Sequence, residues 1–349
     1  MPDLSVEYLG LKLKNPLIVA SSGLTRNSTL IHHCEEAGAG AVVMKSIFEE
    51  DIRRRDKTFE DFLVTHPEAS SYYDAEVGLV YGAQQYCEEI SKVKKDCSIP
   101  VIASVNCANP RWWLDYAAQL ESSGADAIEL NLSVPSVEMG VSGVECEDAF
   151  RDIVAAVKAH VRIPLAVKMS GQLTAPQNVA QKLVAAGADA LVLFNRQSGL
   201  DINLNTRKAF SSKGDQGLTT PHSIHYPLRW VAILNQLLPD VQLSASGGVH
   251  SGEALIKYVL AGATTVQVCS LLYRSGLKEI TTLLDALSVY LKRQGLEKVR
   301  DIRGGVVRDI EIGTREQQRL EYLQLSKGHY LEVDATDGGG LVYETHLKE

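Results

Sequence analysis

Short apolar runs alternate with amphipathic stretches along most of the chain. Eight of these runs, bounded by turn residues, predict β-strands near residues 16–20, 41–45, 101–105, 127–132, 165–169, 190–194, 241–245 and 265–268. Between them, apolar residues recur at three- to four-residue spacing, which predicts helices over stretches such as 113–122, 149–160, 176–186 and 252–260. Regular alternation of strand and helix favours parallel strands joined by right-handed crossovers.

Two local patterns mark the starts of the strands. A Gly-Ala pair precedes an apolar run at Gly38, Gly124, Gly187 and Gly262, and we expect each glycine to end a helix in a left-handed conformation. A proline precedes other runs, at Pro100, Pro164 and Pro239. Proline at the first residue of a strand removes no hydrogen bond from the sheet.

Eight parallel strands can close on themselves, so the predicted fold is an α/β protein of the (β/α)8 TIM-barrel class over residues 1–305. Residues 46–98 form a long insertion after the second strand, which we expect to roof the active site. Residues 306–349 form a polar C-terminal extension, which we interpret either as an arm or as a partly disordered tail. Either segment is too short to support a second folded core.

Composition narrows the function classes. The 349 residues are 45% hydrophobic and 22% charged, as in soluble globular proteins, and the net charge of -8 argues against a nucleic-acid partner. The Arg53-Arg54-Arg55 run is then interpreted as a solvated loop. Six scattered cysteines lack metal-ligand spacing, so we expect reduced thiols and neither zinc nor an iron-sulfur cluster. Since we find no signal peptide and no membrane-spanning run, we expect a cytoplasmic protein.

Polar residues end several of the predicted strands. In a (β/α)8 barrel the active site is built at the C-terminal ends of the strands. The candidates there are Lys45, Asn131, Ser133, Lys168, Asn195 and Arg196. A single lysine at such a place could be a surface residue that extends to solvent. Two lysines at one barrel mouth favour a site for an anionic ligand.

The ends of the seventh and eighth strands combine small residues with the start of a helix. They read Ser246-Gly247-Gly248 and Cys269-Ser270, and a short helix begins near Ser251. Backbone N–H groups without bulky side chains, next to a helix N-terminus, form a phosphate cradle. The alternative is that the two glycines only turn the chain.

The same residues carry a family resemblance. Six blocks match in order and spacing: residues 15–23 (NPLIVASSG), 44–46 (MKS), 129–136 (ELNLSVPS), 167–168 (VK), 246–249 (SGGV) and 260–263 (LAGA). Over roughly residues 5–305 the chain resembles the dihydroorotate dehydrogenase family, and the 129–136 block is the most specific element.

The resemblance implies an FMN cofactor that lies across the strand ends. The implied cofactor-binding residues are Ala20, Ser21, Gly23, Lys45, Ser46, Asn131, Lys168, Asn195, Gly217, Gly247, Gly248, Cys269 and Ser270. The implied substrate-binding residues are Lys45, Asn131, Ser136, Asn195 and Arg196. A fixed cation such as Lys168 stabilises the negative charge of reduced flavin. By the same resemblance we expect a homodimer.

Departures from the family pattern fall on the substrate side. The position of the family's proton-accepting cysteine or serine is Val134, which can accept no proton. Two family asparagines correspond to Ser136 and Ala75, and a small hydroxylic residue corresponds to Arg196. Loss of a positioned base typically costs about 10²–10⁴ in rate. The remaining candidates for the catalytic set are Lys45, Asn131, Ser133 and Cys146.

Three hypotheses for the function follow. The first is an FMN-dependent oxidoreductase that acts on a CH–CH bond of a dihydropyrimidine-like small molecule, with a small soluble electron acceptor such as fumarate. The second is a cofactor-free barrel of the aldolase type, in which Lys168 forms a Schiff base. The third is an FMN-binding protein that has lost catalysis, and Val134 is the residue that supports it.

Overall fold

The computed structural model describes residues 2–48, 83–106, 110–132, 138–196, 200–211 and 217–307, with Arg319 and Leu323. For residues 83, 110–115 and 210–211 the backbone alone is described. The chain divides into two units, Met1–Arg308 and Asp309–Glu349. The second unit lies outside the described residues, apart from Arg319 and Leu323, so the arm-like extension stays a prediction.

Eight parallel strands form a closed barrel. The strands of the described chain are β1 (Val6–Tyr8), β2 (Leu11–Leu13), β3 (Leu17–Val19), β4 (Ala41–Val43), β5 (Ile47–Phe48), β6 (Val101–Asn106), β7 (Ala127–Leu132), β8 (Leu165–Met169), β9 (Ala190–Leu193), β10 (Leu200–Asn203), β11 (Lys208–Ser211), β12 (Gln242–Ser246) and β13 (Thr265–Val268). The barrel order is β4-β3-β13-β12-β9-β8-β7-β6, and pairing of β4 with β6 closes it. The predicted (β/α)8 barrel is confirmed, with the eight strands at the predicted places.

Helices cover the outside of the barrel. They are α1 (Ser28–Glu36), α2 (Ala83–Asp96), α3 (Pro110–Ser122), α4 (Gly143–Lys158), α5 (Pro176–Ala185), α6 (His225–Leu237), α7 (Gly252–Leu260), α8 (Ser270–Ser275) and α9 (Glu279–Arg293). The prediction placed the start of α4 at residue 149, six residues too late. Helix α4 begins earlier because Ser142 and Glu145 form a capping box, in which each side chain bonds the other's backbone N–H.

Helix α2 lies within the stretch predicted as an insertion. Its residues Tyr86, Ile90 and Val93 are buried in the barrel's outer core. The stretch 46–98 therefore includes the barrel's second helix. Residues 49–82 lie outside the described residues, so their role as a roof stays a prediction.

The Gly-Ala pairs end helices as predicted. Each glycine has a φ between +95° and +108°, a conformation that L residues rarely adopt. These glycines are Gly38, Gly124, Gly187 and Gly262.

Two of these pairs are followed by an aspartate that binds the neighbouring strand. Asp126 accepts a hydrogen bond from the Val101 N–H at 2.7 Å and forms an ion pair with Lys94. Asp189 accepts one in the same way from the Leu165 N–H at 2.7 Å. These acidic residues thus stabilise the N-terminal ends of the strands, opposite to the predicted active site.

The barrel interior holds small residues at its N-terminal end and polar residues nearer its C-terminal end. An N-terminal hairpin of β1 and β2 packs against the N-terminal end with the fully buried ring of Tyr8. That ring packs in a cluster with four small inward residues, Ala41, Ala127, Ala166 and Ala190. Closer to the C-terminal ends of the strands, four of the buried inward residues are polar: Ser104, Glu129, Lys168 and Gln267. Among the described residues no helix is long and apolar enough to cross a membrane.

Candidate active site

Lys168 is the buried cation of the barrel mouth. It is the fourth residue of β8, and because successive residues of a strand alternate in direction, its side chain points into the barrel. Its Nζ donates to Oε1 of Gln267 at 2.7 Å and lies 3.4 Å from Oε1 of Glu129. Nε2 of Gln267 in turn donates to Oε2 of Glu129 at 2.6 Å. All three side chains are nine-tenths or more buried, with exposures of 6%, 2% and 1% for Lys168, Gln267 and Glu129.

Lys45 lies at a bulge in the second strand. Val43 pairs with Ile102 and Ile47 pairs with Val105, so three residues face two across this part of the ladder. The extra residue takes the Lys45 N–H out of the sheet, where it bonds the carbonyl of Thr25 at 3.2 Å. Bulges re-aim side chains and are common next to active sites.

Three serine hydroxyls connect the first three barrel strands. Ser46 Oγ lies 2.7 Å from Ser104 Oγ and 3.0 Å from Ser21 Oγ, and the Ser46 N–H donates to Ser21 Oγ at 2.8 Å. Ser21 and Ser46 were predicted from the sequence, and the structure brings them together. Ser104 was missed, although its inward position within β6 was available from the period-two pattern.

An amide pair joins the ends of β7 and β9. Nδ2 of Asn195 donates to Oδ1 of Asn131 at 2.8 Å, and Oδ1 of Asn195 accepts from the Arg196 N–H at 3.0 Å. Nη1 of Arg196 then donates to the carbonyl of Gly217 at 3.0 Å. Four predicted site residues are therefore joined in one chain of hydrogen bonds.

The thiol of Cys269 feels the charges of three cations. Burial raises the pKa of this thiol, and a hydrogen bond with Ser22 and the charges of Lys168, Arg196 and Lys45 lower it. Because these cations outnumber the nearby carboxylate of Glu129, the mouth is suited to an anionic ligand.

The predicted phosphate cradle combines two glycines of left-handed backbone with the start of α7. Gly247 and Gly248 both have positive φ, of +107° and +68°. A Cβ at Gly248 would lie 2.3 Å from the backbone nitrogen of Ile224, so no other residue fits there without movement. The side chain of Ser251 caps α7 by accepting from the Ala254 N–H at 3.2 Å. The helix N-terminus and the glycine turn thus lie side by side, as an anion site needs.

Residues that the sequence reasoning missed surround this cradle. Oγ of Ser270 accepts hydrogen bonds from both the N–H and the hydroxyl of Thr219, each at 3.0 Å. The hydroxyl of Tyr258 donates to the carbonyl of Gly247 at 2.7 Å. Nε2 of His250 lies 3.4 Å from the Thr219 hydroxyl. No motif connects these positions in the sequence, since they meet only when β12, β13 and the 217–220 loop come together.

Other predicted residues stand apart or outside the described chain. Ser133, Val134 and Ser136 lie outside the described residues. Cys146 is half-buried in the first turns of α4, and within the described chain no hydrogen bond links its thiol to the mouth. Gly23 is near the mouth, where a Cβ would lie 2.6 Å from the hydroxyl of Tyr273.

One group away from the mouth has metal-ligating side chains. The potential ligand atoms of His32, Glu35 and Cys97 lie within 4.8 Å of one another. Oε1 of Glu35 already accepts hydrogen bonds from the Ser98 N–H at 2.9 Å and from its hydroxyl at 2.5 Å. These bonds favour a structural role for the group, as a tie between α1 and the turn after α2.

The family model for dihydroorotate dehydrogenase matches residues 3–291 of the chain. This protein belongs to the dihydroorotate dehydrogenase family. It is therefore an oxidoreductase of the kind that acts on CH–CH bonds.

Relatives of known name agree with this family. The chain is 31% identical over 310 residues to "Dihydroorotate dehydrogenase B (NAD(+)), catalytic subunit" of Thermoplasma volcanium, covering 88% of this chain and 100% of the relative. It is 30% identical over 308 residues to "Putative dihydroorotate dehydrogenase A (fumarate)" of Aeropyrum pernix, covering 87% and 97%. The crystal structure of the Eimeria tenella enzyme in complex with ferulenol superposes with a TM-score of 0.65 at 18% identity, covering 87% of this chain and 89% of that one. At that identity the superposition supports the fold alone.

Proposed function

We propose that this dihydroorotate dehydrogenase family member binds FMN across the barrel mouth and transfers hydride between the flavin and a dihydropyrimidine-like small molecule. The observation that carries the proposal is the buried ammonium of Lys168, whose charge acts, together with those of Lys45 and Arg196, on the Cys269 thiol just after β13. A cationic mouth is suited to a ligand that carries a phosphate and gains electrons.

The chain's residues fit such a cofactor at both of its ends. Gly247, Gly248, Cys269 and Ser270 would hold the phosphate at the N-terminus of α7. The ring system would lie along Ala20, Ser21, Gly23 and Ser46, with Gly217 admitting the close approach of backbone. When bound, FMN would supply the centre that accepts or releases a hydride.

Two groups of residues would hold the substrate. The amide pair Asn131 and Asn195 presents donors and acceptors to the carbonyl and N–H edges of a planar ring. Arg196 and Lys45 would bind an anionic substituent, the first through its planar fork and the second as a point charge. Ser136 would add a hydroxyl to this side of the site.

The proton step has no base at the family's usual position. Val134 occupies that position and can accept no proton. We assign the step to Ser133 or to the thiol of Cys146, of which the thiol is ionised far more readily near neutral pH.

The remaining parts of the proposal concern the electron acceptor, the cellular location and the oligomeric state. The two relatives are named for NAD(+) and for fumarate. We infer that this chain also passes electrons to a small soluble acceptor, works in the cytoplasm and forms a homodimer.

The test is direct. Purified protein should be yellow, and anaerobic mixing with dihydroorotate or dihydrouracil should bleach the flavin absorbance, which fumarate or NAD+ should then restore. A colourless preparation that added FMN cannot restore would overturn the proposal. Flavin that is bound but is reduced by no dihydropyrimidine would favour a binding protein without catalysis.

A Schiff-base enzyme of the aldolase type fits the site less well. Imine formation needs a neutral amine, whereas Nζ of Lys168 is held in an ion pair with Glu129. Borohydride should therefore trap no carbonyl substrate on Lys168.

A further inference from the structure

Glu129 and Gln267 form a bridge across the inside of the barrel beneath the mouth. Gln267 belongs to β13 and Glu129 to β7, which are four strands apart in the closed order of eight, on opposite sides of the barrel. Their side chains meet on the axis, where Nε2 of Gln267 donates to Oε2 of Glu129 at 2.6 Å. Glu129 lies two residues before Asn131 in β7, below the mouth, and the Gln267 amide has its oxygen bonded to Lys168 and its nitrogen bonded to Glu129.

The bridge fixes the direction of the Gln267 amide. The carboxylate of Glu129 accepts hydrogen bonds only, so it must face the Nε2 side of that amide. The Oε1 side is then turned toward Nζ of Lys168, at 2.7 Å. A flipped amide would set donor against donor at Lys168 and acceptor against acceptor at Glu129.

The same bridge determines how Lys168 meets a ligand. An ammonium has three N–H donors. Gln267 accepts one of them, and Oε1 of Glu129, at 3.4 Å, is placed to accept a second. The third donor is left for the mouth. The negative charge of Glu129 lies on the far side of the ammonium from a ligand, so it reduces the positive potential that this ligand would feel.

We propose that Glu129 and Gln267 are positioning residues that aim Lys168 at the cofactor, and that the charge of Glu129 lowers the flavin's reduction potential by partly neutralising Lys168. This inference rests on the proposed FMN function. It assigns a role to the buried carboxylate of Glu129 and the buried amide of Gln267, neither of which takes part in the hydride-transfer step itself.

The first variant is Glu129→Gln, which keeps the shape and removes the charge. The reduced flavin is richer in electrons, so an uncompensated Lys168 stabilises it more strongly. The ratio of reduced to oxidised FMN at a fixed solution potential should rise about tenfold, which is about 30 mV for a two-electron couple. The probe is a spectroelectrochemical titration of the flavin-loaded full chain.

The second variant exchanges the two groups, as Glu129→Gln together with Gln267→Glu. The amide at 129 can then donate to the carboxylate at 267, and both can accept from Lys168, so every hydrogen bond is restored. The carboxylate would now stand where the amide oxygen lies 2.7 Å from Nζ, closer than the 3.4 Å of Glu129. The potential should return to the wild-type value or fall below it.

Asp126→Asn is the matched control. It also removes one negative charge paired to a lysine, but at the N-terminal end of the barrel, where Asp126 bonds the Val101 N–H. Its flavin potential should stay at the wild-type value. Thermal unfolding of all variants without added FMN gives a second readout, in which the exchanged pair should be more stable than Glu129→Gln alone.

The outcomes separate the inference from the function on which it rests. Wild-type protein that binds no FMN would overturn the proposed function. Wild-type protein that binds FMN, with a Glu129→Gln potential that is unchanged or lower, would overturn this inference and leave the function standing. If Glu129→Gln does not fold, the test passes to the variant with both exchanges, Glu129→Gln and Gln267→Glu. This variant supports the bridge if it folds, binds flavin and has a flavin potential at or below that of wild type. A higher flavin potential, or a failure to fold, contradicts the bridge.

Discussion

Asn195 donates its side-chain N–H to Oδ1 of Asn131 at 2.8 Å, across the end of the strand that lies between them. That intervening strand is β8, and its Lys168 is the register partner of Asn131. The amide pair and the buried ammonium therefore occupy adjacent positions at the mouth. A planar ring that lies on the amides would also lie near the cation.

Replacing Asn195 by alanine should weaken the substrate side of the site. Asn131 loses the donor that orients its amide, and a lost orienting hydrogen bond of about 1.4 kcal/mol corresponds to about tenfold in kcat/KM. We expect at least that decrease for a dihydropyrimidine substrate, measured by anaerobic steady-state kinetics. Asn203→Ala on the exposed hairpin serves as the control, since the side chain of Asn203 accepts from the N–H groups of its neighbours Asn205 and Thr206. Equal kinetics for Asn195→Ala and wild type would contradict the assignment.

Replacing Lys168 by methionine should destabilise the protein as well as impair the flavin. The change leaves Glu129 as a buried carboxylate without its cation, and loss of one partner of a buried pair costs about 3–5 kcal/mol. Urea unfolding should show this loss, and adding Glu129→Gln in the same chain should recover part of it. If Lys168→Met alone were as stable as wild type, the pair of Lys168 and Glu129 would not contribute this free energy of unfolding.

Gly248 and Gly10 have the same backbone conformation in different surroundings. Their φ angles are +68° and +70°, but a Cβ would lie 2.3 Å from the Ile224 nitrogen at Gly248 and would meet nothing within 4 Å at Gly10. Alanine at either site has the left-handed cost of about 1–2 kcal/mol. In urea unfolding, only Gly248→Ala should lower the free energy of unfolding by more than this left-handed cost. The same variant should weaken FMN binding at least tenfold in a fluorescence titration. Similar losses in the two variants would mean that the packing against Ile224 is not tight.

Acid should destabilise the protein partly through His250. Burial lowers the pKa of this imidazole below its ordinary value, and the positive charge of Arg274 acts in the same direction. The unfolded chain therefore takes up the proton first as the pH falls, so His250 reduces the free energy of unfolding below about pH 6.5. His250→Asn should lose less stability than wild type between pH 7 and pH 5, with urea midpoints as the measure. Parallel curves for the two proteins over that interval would contradict this.

Much of the fold was predictable from the chain because its signals are local. Glycines that end helices, prolines that begin strands and the period of the apolar residues are each fixed by short-range sterics and burial. Boundaries were less accurate where a cap decides them, as at Ser142, whose pairing with Glu145 starts α4 six residues before the predicted place.

The site was predictable only in part. Residues such as Lys45, Asn131 and Lys168 could be named because barrel chemistry occurs at strand ends and because a family pattern contains them. Thr219 could not, since nothing near it in the chain marks it as a site residue. Ser104 and Gln267 lie within predicted strands, where the period of two gives the direction of the side chain but not its partners. Whether Ser133 or Cys146 handles the proton stays a prediction.

The sequence by itself determined that this chain closes an eight-stranded barrel and carries cations at the C-terminal ends of its strands. Its resemblance to a known family added the expectation of an FMN cofactor. The tertiary structure alone decided that Lys168 is held by Glu129 and Gln267. Those two side chains come from opposite sides of the barrel, 138 residues apart, and contact each other only once the sheet has closed around them.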